Sequence, residues 1–364
     1  MLRLLARRPL DRGGRGTAVL GACLLGAALA APFLLSTFSL GLTALFLPFA
    51  LLGLSLELLW GENRLVSFGH GAFFAAGGYV GGLVLIGKPY DVSGAASSFL
   101  VESTQKPAFD RVLAWLHDVQ IAGIPVFGIL LPPLLCGLAG LAIGLIVFRV
   151  ASAEVYVPLV TLGVSVVAGI WFNELKPLGA SNGLAGIPPY TADIADPAKP
   201  LGGYVFNLVF VVLAFGAYAL FRRSKRGWTW RALGDDPIRL EALGYPVRRM
   251  RAIGFGVSTG LAGLAGALYA STSAFMSPSI AGVDFGAQAL IWVAVGGVGT
   301  LFGALVGTMV VKWGEQVLSS NLGLQDRWQL FLGLSLILIV LVAPGGLTGS
   351  RPADLAARLR RRPP

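Results

Sequence analysis

The chain has 364 residues, of which 55% are hydrophobic and 13% are charged. A soluble domain carries about 25% charged residues, so this composition excludes an ordinary soluble protein and indicates a helical protein that crosses a membrane several times. The formal net charge is +10, but the basic residues cluster between apolar segments. That pattern is typical of membrane topology, and we expect no nucleic-acid partner.

Segments of about 20 apolar residues predict an all-α bundle of about ten transmembrane helices. In chain order the predicted spans are residues 17–38, 40–59, 65–86, 125–150, 156–172, 204–221, 253–274, 288–295, 301–311 and 328–342. Two of them, 288–295 and 301–311, are short, and the glycine-rich residues 296–300 separate them. We expect two short or broken helices whose connecting backbone is buried in protein or lines a cavity.

The first predicted span could be mistaken for a signal peptide, because a basic arm precedes it and Ala28–Pro32 offers a cleavage site. Residues 17–38 are longer than the apolar core of a typical signal peptide, so we interpret them as an uncleaved first helix. Cys23 and Cys136 both lie within predicted spans, which favours packing over a disulfide or a metal site.

Lysine and arginine residues concentrate in an N-terminal arm (1–16), a central loop (222–252) and a C-terminal tail (346–364). Cytoplasmic loops carry an excess of these residues, so all three regions are expected on the cytoplasmic side. Ten crossings place both termini inside. Counting the two short segments as one crossing would put the basic tail outside.

Two long outer loops follow from this topology, at about residues 87–123 and 173–203, within a transmembrane domain of residues 17–345. Residues 112–120 in the first loop have the pattern of a surface helix. The second loop is rich in Gly, Pro and Ala. Neither loop has the composition of an independent domain.

The central basic loop contains signals for one short helix. Asp235 or Asp236 fits the N-cap, and Pro237 fits the first helical position. Gly244 suits the left-handed residue after the helix, and Pro246 prevents its continuation. These signals predict a helix of about two turns, a length that is marginal in water unless something packs on it.

Two interpretations of this helix are open. It is either an ordinary loop helix that rests on its own bundle or a docking helix for a soluble partner. We favour docking, because Ile238 and Ala242 lie on one stripe and so short a helix needs a partner to hold it.

Residues 236–244, Asp-Pro-Ile-Arg-Leu-Glu-Ala-Leu-Gly, resemble the coupling loop of ABC-transporter permeases. The resemblance is closest to the inner-membrane permeases for branched-chain amino acids and, in a sister branch, urea. Glu241, Ala242 and Gly244 match the Glu-Ala…Gly pattern, whereas Leu243 replaces the second alanine of the wider motif. The resemblance implies that the helix sits in a groove of an ATPase subunit. It assigns to coupling the residues Asp236, Pro237, Ile238, Arg239, Glu241, Ala242, Leu243 and Gly244.

Four further segments resemble the same family, in the same order along the chain. Residues 67–74 are similar to its Ser-Leu-Gly-His-Gly-Ala-Phe segment, with Phe68 in place of leucine. Residues 183–188 are similar to its outer Gly-Leu-x-Gly-Ile-Pro loop. Residues 263–269 and 294–300 are similar to a glycine-rich span and a Gly-Gly-x-Gly loop. The match therefore covers most of the chain.

The resemblance implies that the outer loop faces an extracytoplasmic substrate-binding protein. Ala180 stands where the family usually has a second glycine after Gly179, which is a departure from the pattern. The residues assigned to this contact are Ser181, Asn182, Gly183, Leu184, Gly186 and Pro188.

The glycines and the single histidine within a span, His70, each have two interpretations. Small residues allow helices to approach closely in lipid, or they line a substrate route. His70 is either a neutral structural group or a functional group. Glu57 is expected to reach the cytoplasmic interface. The residues assigned to the translocation path or to helix packing are Gly69, His70, Gly71, Phe73, Gly296, Gly297, Gly299 and Gly303.

The sequence contains no Gly-x-x-x-x-Gly-Lys-Ser/Thr phosphate loop and no visible catalytic or metal-binding pattern. We expect a transport subunit that binds no cofactor or metal, with ATP and Mg²⁺ on a separate ATPase subunit. The resemblance implies two ATPase subunits, a second permease subunit in a heterodimer and a binding protein, in the bacterial inner (plasma) membrane.

Alternatives remain open at this point. An ion-coupled carrier would need buried charges and inverted halves, and an intramembrane enzyme would need convergent catalytic groups. Among substrates, residues 291–297 and 344–347 resemble the urea branch of the family. Residues 156–162 and the outer loop resemble the amino-acid branch, and we favour hydrophobic amino acids over urea or short amides.

Overall fold

The fold is a bundle of helices with two short two-stranded pairings. The computed structural model describes residues 14–87, 107–121, 124–150, 153–175, 178–190, 200–322, 330–331, 333–335, 337, 341 and 345–349. The described helices are α1 (Gly14–Leu34), α2 (Thr37–Leu56), α3 (His70–Ile86), α4 (Pro107–Asp118), α5 (Val126–Val150), α6 (Ala153–Glu174), α7 (Leu201–Arg223), α8 (Lys225–Asp235), α9 (Pro237–Ala242), α10 (Val247–Ser273), α11 (Val283–Gly296), α12 (Gly303–Leu322) and α13 (Gly346–Gly349). The strands are β1 (Gln120–Ile121), β2 (Ile124–Pro125), β3 (Leu184–Ala185) and β4 (Phe275–Met276).

Within the described part of the chain, five helices have the length and apolar composition of a membrane span: α2 with a π-helical extension, α5, α6, α7 and α10. α3, α11 and most of α1 are apolar but shorter. The prediction of a polytopic membrane helix bundle is therefore confirmed. The count of ten stays a prediction, because the predicted span 328–342 lies largely outside the described residues.

α2 and α10 form the centre of the bundle. In the most apolar 18-residue segment of each helix, 78% of α2 and 72% of α10 is buried, against 22–28% of α5, α6 and α7. The outer helices instead present apolar side chains such as Leu134, Val167 and Leu213 to the surroundings. Such faces suit lipid or a partner subunit, since neither offers water to solvate polar groups.

Glycine allows α3 to approach α10 closely. A side chain at Gly77 would collide with the backbone of Gly263, and one at Gly266 would collide with the carbonyl of Phe74. Lipid offers no hydrophobic drive for helix association, so this close backbone contact is a main source of attraction between the two helices.

Gly77→Ala is expected to destabilise the bundle by about 1–3 kcal/mol, because the added methyl group has no space and the helices must separate. Gly163→Ala in α6 is the matched control, since no atom lies within 4 Å of its added Cβ. Thermal unfolding midpoints of the two variants in detergent provide the measurement. Equal midpoints would contradict a tight contact between α3 and α10.

The structure corrects two predicted elements. The ninth predicted span is not short: α12 has 20 residues and continues to Leu322, well past Val311. In this continuation Lys312 pairs with Glu315 at 2.9 Å, so the lysine does not meet lipid unpaired. α8 was not predicted, although Ser224 caps it by accepting a hydrogen bond from the Gly227 amide. The predicted surface helix in the first outer loop is confirmed as α4.

The bundle has two chemically different ends. The basic end carries α8, α9 and the loop of residues 297–302, which joins α11 to α12. The opposite end carries β3, which pairs antiparallel with β4 just after α10. α10 runs between these ends, so it connects the short basic helices at one end to the Gly-Leu-Ala-Gly-Ile-Pro loop at the other.

Candidate functional site

The short helix α9 forms with the caps that the sequence predicts. The Asp236 carboxylate accepts a hydrogen bond from the Arg239 amide at 3.0 Å. Pro237 occupies the first turn. Gly244 adopts a left-handed conformation with φ of 87°, which suits glycine and ends the helix. Asp236 is therefore the N-cap, and Asp235 has another role.

α9 is held by its own chain through Leu240. This side chain is 5% exposed and forms a small apolar cluster with Leu233 of α8 and Val247 of α10. Trp230 and Met250 pack against the same cluster. The inference that only a partner could stabilise so short a helix is therefore wrong, because α8, which the sequence did not reveal, supplies the missing contacts.

Leu240→Ala is expected to loosen α9 from the bundle at a cost of about 2–5 kcal/mol in local stability, the range for truncating a buried leucine. Leu243→Ala is the matched control, because Leu243 is 70% exposed. Hydrogen exchange of the α9 amides measures the difference. Similar exchange in both variants would show that Leu240 does not anchor the helix.

The outward side of α9 is an exposed surface with large apolar side chains. Ile238 is 80% exposed and Leu243 is 70% exposed. Glu241 and Ala242 are exposed beside them. We call Ile238, Glu241, Ala242 and Leu243 the coupling face. Large apolar side chains that are exposed together outside the membrane spans suit a protein-interaction site, so this face meets the requirement for docking.

A buried ion pair lies at the basic end of the bundle, between α2 and α7. Glu62 is 2% exposed, accepts a hydrogen bond from the Tyr218 hydroxyl at 2.9 Å and pairs with Arg222 at 3.0 Å. Arg222 also donates to the Gly299 carbonyl at 3.3 Å. The pair therefore joins α2, α7 and the loop between α11 and α12.

A second ion pair connects α2 to the helices of the central basic loop. Arg64 lies 3.2 Å from Asp235, the last residue of α8, directly before the α9 N-cap. Arg64 has φ of 56°, a conformation that is uncommon for a residue with a side chain. The ion pair thus holds the segment that follows α2 beside the N-terminus of α9.

The end of α2 departs from α-helical geometry. Glu57–Glu62 form a π-helical turn, a feature that is frequent at functional sites. Glu57 is fully buried, so the expectation that it reaches the cytoplasmic interface is wrong. Within this turn the carboxylate lies against Gly61, where an added Cβ would collide with it. Sequence periodicity gives no sign of a π turn, so this feature could not be predicted.

His70 joins three helices in a hydrogen-bond network. Its Nδ1 lies 3.0 Å from the Ser67 hydroxyl and its Nε2 lies 2.7 Å from the Ser258 hydroxyl. Ser258 donates its own proton to the Ser55 carbonyl. Ser258 therefore accepts from Nε2–H, and Nδ1 accepts from Ser67. A neutral imidazole satisfies every contact, which supports the structural interpretation of His70.

The segment before His70 is not helical, contrary to the prediction that α3 begins at Leu65. Phe68 donates its amide to the Thr161 hydroxyl at 3.1 Å, and its carbonyl accepts from Ser165 at 2.9 Å. Gly69 fits closely against Thr161. Hydroxyl groups of α6 thus satisfy a backbone that has no helix of its own, as membrane depth requires.

The remaining path-or-packing residues lie in close contacts. An added Cβ at Gly71 would lie 2.8 Å from the Ile280 carbonyl, and Phe73 packs edge-on against Phe255. Gly296 and Gly303 touch through their backbones. These positions therefore lie in close contacts between neighbouring elements.

The two loop glycines outside these helix contacts have left-handed backbones. Gly297 has φ of 115° and is buried. Gly299 has φ of 84° and no atom near an added Cβ. Gly297 therefore agrees with the expectation that this loop is covered by protein, whereas Gly299 contributes its carbonyl to Arg222 instead of packing helices.

The outer loop is only partly exposed. Ser181, Asn182 and Gly186 are exposed and Pro188 is partly so. Leu184, assigned by sequence to the outward surface, is 3% exposed. This is a correction: pairing of β3 with β4 turns Leu184 toward α3.

Gly183 is also buried and has φ of 73°, with its added Cβ blocked by the Met276 carbonyl. Its glycine is therefore a requirement of the β3–β4 pairing. Ala180 has φ of 46°, so the position where the family usually has glycine keeps a left-handed backbone.

The family described as "Branched-chain amino acid transport system / permease component" matches residues 38–341. The chain belongs to this family. Its membership, together with the apolar helices, makes the chain a multi-pass membrane transport subunit. Among the described residues no group of three or more His, Cys, Asp or Glu is placed to hold a metal ion.

Several characterised permeases are similar to the chain. LivM of the high-affinity branched-chain amino acid transport system of Escherichia coli (strain K12) is 25% identical over 340 residues, covering 87% of this chain and 71% of LivM. LivH of the corresponding Salmonella typhimurium system is 30% identical over 142 residues, covering 39% of this chain and 46% of LivH. The autoinducer 2 import permease LsrC of Enterobacter sp. (strain 638) is 29% identical over 220 residues, covering 58% and 60%. No solved structure matches the chain significantly.

Proposed function

We propose that this chain is the permease subunit of an ATP-driven, binding-protein-dependent importer for branched-chain and other hydrophobic amino acids. The observation that carries the proposal is the coupling face: an exposed apolar helix surface outside the spans, held in place by Leu240. LivM of Escherichia coli, a relative that aligns with most of the chain, is named for branched-chain amino acid transport, which supports the substrate class.

The proposed complex contains this chain, a second permease subunit, two ATPase subunits that bind ATP and Mg²⁺, and an extracytoplasmic binding protein. It lies in the bacterial inner membrane with both termini of the chain in the cytoplasm. Similarity to both LivM and LivH supports a heterodimer of permease subunits, because both are named as permeases of such systems.

In the proposed mechanism the loaded binding protein docks on the exposed outer-loop residues Ser181, Asn182 and Gly186. ATP binding closes the ATPase dimer and moves the coupling face. Two ion pairs, Arg64–Asp235 and Glu62–Arg222, carry this motion into α2 and α7. Rocking between two packed arrangements is a common way to alternate access, since packed helix interfaces are bistable.

Uptake by the complete transporter in proteoliposomes tests the proposal. Radiolabelled leucine should accumulate only with internal ATP and with the binding protein outside, and an uncoupler should have no effect. Loss of uptake on adding an uncoupler while ATP is held high would indicate an ion-coupled carrier instead.

The substrate class is tested by titrating the cognate binding protein with leucine and with urea. Leucine should bind more tightly, because the outer loop and residues 156–162 resemble the amino-acid branch. A preference for urea would assign the chain to the urea or short-amide alternative.

A further inference from the structure

A charged pair lies in the middle of α12. Lys312 is the tenth of the 20 residues of this helix, and its ammonium lies 2.9 Å from a carboxylate oxygen of Glu315. A helix of this length measures about 30 Å, close to the thickness of the bilayer hydrocarbon. Lys312 therefore lies near mid-depth if α12 crosses the membrane.

Contacts with α2 independently place Lys312 near the middle of the membrane. The Lys312 ammonium lies 4.7 Å from the ring centre of Phe49. Phe49 is the thirteenth residue of the 26-residue span Thr37–Glu62. Trp313, next to Lys312, also packs edge-on against Phe46 of the same span. The charged pair thus sits beside the centre of α2, far from either end of the bundle.

The ammonium is held between two aromatic faces. It lies 4.7 Å from the Trp292 ring as well as from Phe49, and aromatic faces attract cations. The Trp292 indole N–H is fully buried, and no acceptor for it is found among the described residues. Phe285 and Tyr269 extend the aromatic surface next to Phe49. The site therefore combines the Lys312 ammonium, the Glu315 carboxylate and an indole N–H donor with an apolar aromatic surface.

The pair is only partly covered by its own chain. The Lys312 side chain is 11% exposed and that of Glu315 is 26% exposed. Charges at this depth are costly in lipid and normally face a water-filled cavity or a protein partner. α12 must therefore turn this side toward the permease interior rather than toward hydrocarbon.

A free amino acid has the complementary chemistry. Its carboxylate can replace Glu315 at the Lys312 ammonium, and its ammonium can replace Lys312 at the Glu315 carboxylate. The exchange leaves the site neutral, and an apolar side chain finds the aromatic wall. We propose that Lys312 and Glu315 form a transient binding site for the zwitterionic head of the amino acid during its passage. This inference rests on the proposed function.

A purely structural pair would behave differently. Replacing a buried ion pair by apolar groups of similar size is often neutral or stabilising, so the double variant Lys312→Met with Glu315→Met should keep the fold. It removes the partners for both ends of a zwitterion. A single substitution leaves one charge unpaired and harms assembly. The double variant avoids this, so it separates substrate recognition from folding.

The experiment uses the complete transporter in proteoliposomes, with radiolabelled leucine uptake and binding-protein-stimulated ATP hydrolysis measured together. We expect the double variant to lower uptake by about 10- to 100-fold, the range for losing hydrogen bonds to charged groups. Subunit co-purification and ATP hydrolysis should stay unchanged. Val310→Ala, an exposed position on the same helix, is the matched control and should keep full uptake.

Two results would overturn the inference. One is leucine uptake by the double variant equal to that of the wild type. The other is a parallel loss of uptake and hydrolysis, which would show that the pair maintains the transporter instead of recognising substrate. Failure of the proposed function is distinguishable, because the wild-type transporter would then itself take up no leucine.

Discussion

Glu241→Arg is expected to abolish ATP-driven uptake while the chain remains folded in the membrane. Glu241 is exposed at the centre of the coupling face, so its replacement disturbs no internal contact. Reversal of a charge inside a protein interface costs several kcal/mol, about enough to dissociate a moderately tight complex. The ATPase subunits should therefore no longer co-purify with the variant.

Asp118→Arg is the control for this experiment. It reverses an exposed carboxylate on α4, in the predicted outer loop between α3 and α5, away from the basic end. The variant should retain its ATPase subunits after purification. If Glu241→Arg also retained them and transported normally, the assignment of α9 to ATPase coupling would be refuted.

Arg222→Met is expected to lower the free energy of unfolding by about 3–5 kcal/mol, because it leaves the Glu62 carboxylate charged and buried without its cation. Glu62 is 2% exposed and Arg222 13% exposed, so solvent screens the pair weakly. The loss of the contact to the Gly299 carbonyl adds to this cost. Denaturant titration of the purified chain in detergent measures the effect.

Two further variants test whether the lost stability comes from the ion pair. Arg223→Met changes the next residue, which is exposed, and should alter stability little. Adding Glu62→Gln to Arg222→Met removes the unpaired charge and should recover much of the lost stability. A double variant as unstable as Arg222→Met alone would show that the ion pair is not the source of the effect.

Short-range signals in the sequence predicted the coupling helix well. The Asp236 cap and the left-handed Gly244 act within one helical turn, so local sequence is sufficient to define them. The exposed face of α9 was harder to predict from the sequence. Ile238 is exposed, as a docking residue must be. The burial of Leu240 depends on α8, whose glycine-containing sequence shows no clear apolar stripe.

Charged residues inside apolar segments were the main source of error. The sequence ended a predicted helix at Val311 because Lys312 interrupts the hydropathy. In the structure Glu315 and the aromatic faces of Phe49 and Trp292 stabilise that charge. Only Glu315 is near Lys312 in the sequence. Hydropathy averaged over neighbouring residues therefore treats the lysine as the end of an apolar segment.

The sequence by itself determined the membrane class and the capped helix α9, because these follow from composition and from contacts within a few residues. It also indicated the family, through the resemblance of its motifs. Only the tertiary structure shows that His70 and most of the motif glycines lie in packed contacts, and that the buried Glu62 carboxylate lies beside Arg222. Those properties depend on residues far apart in the chain, as with Glu62 and Tyr218, which are 156 positions apart. Burial, and with it the energy of a charge, is set by neighbours that only the fold brings together.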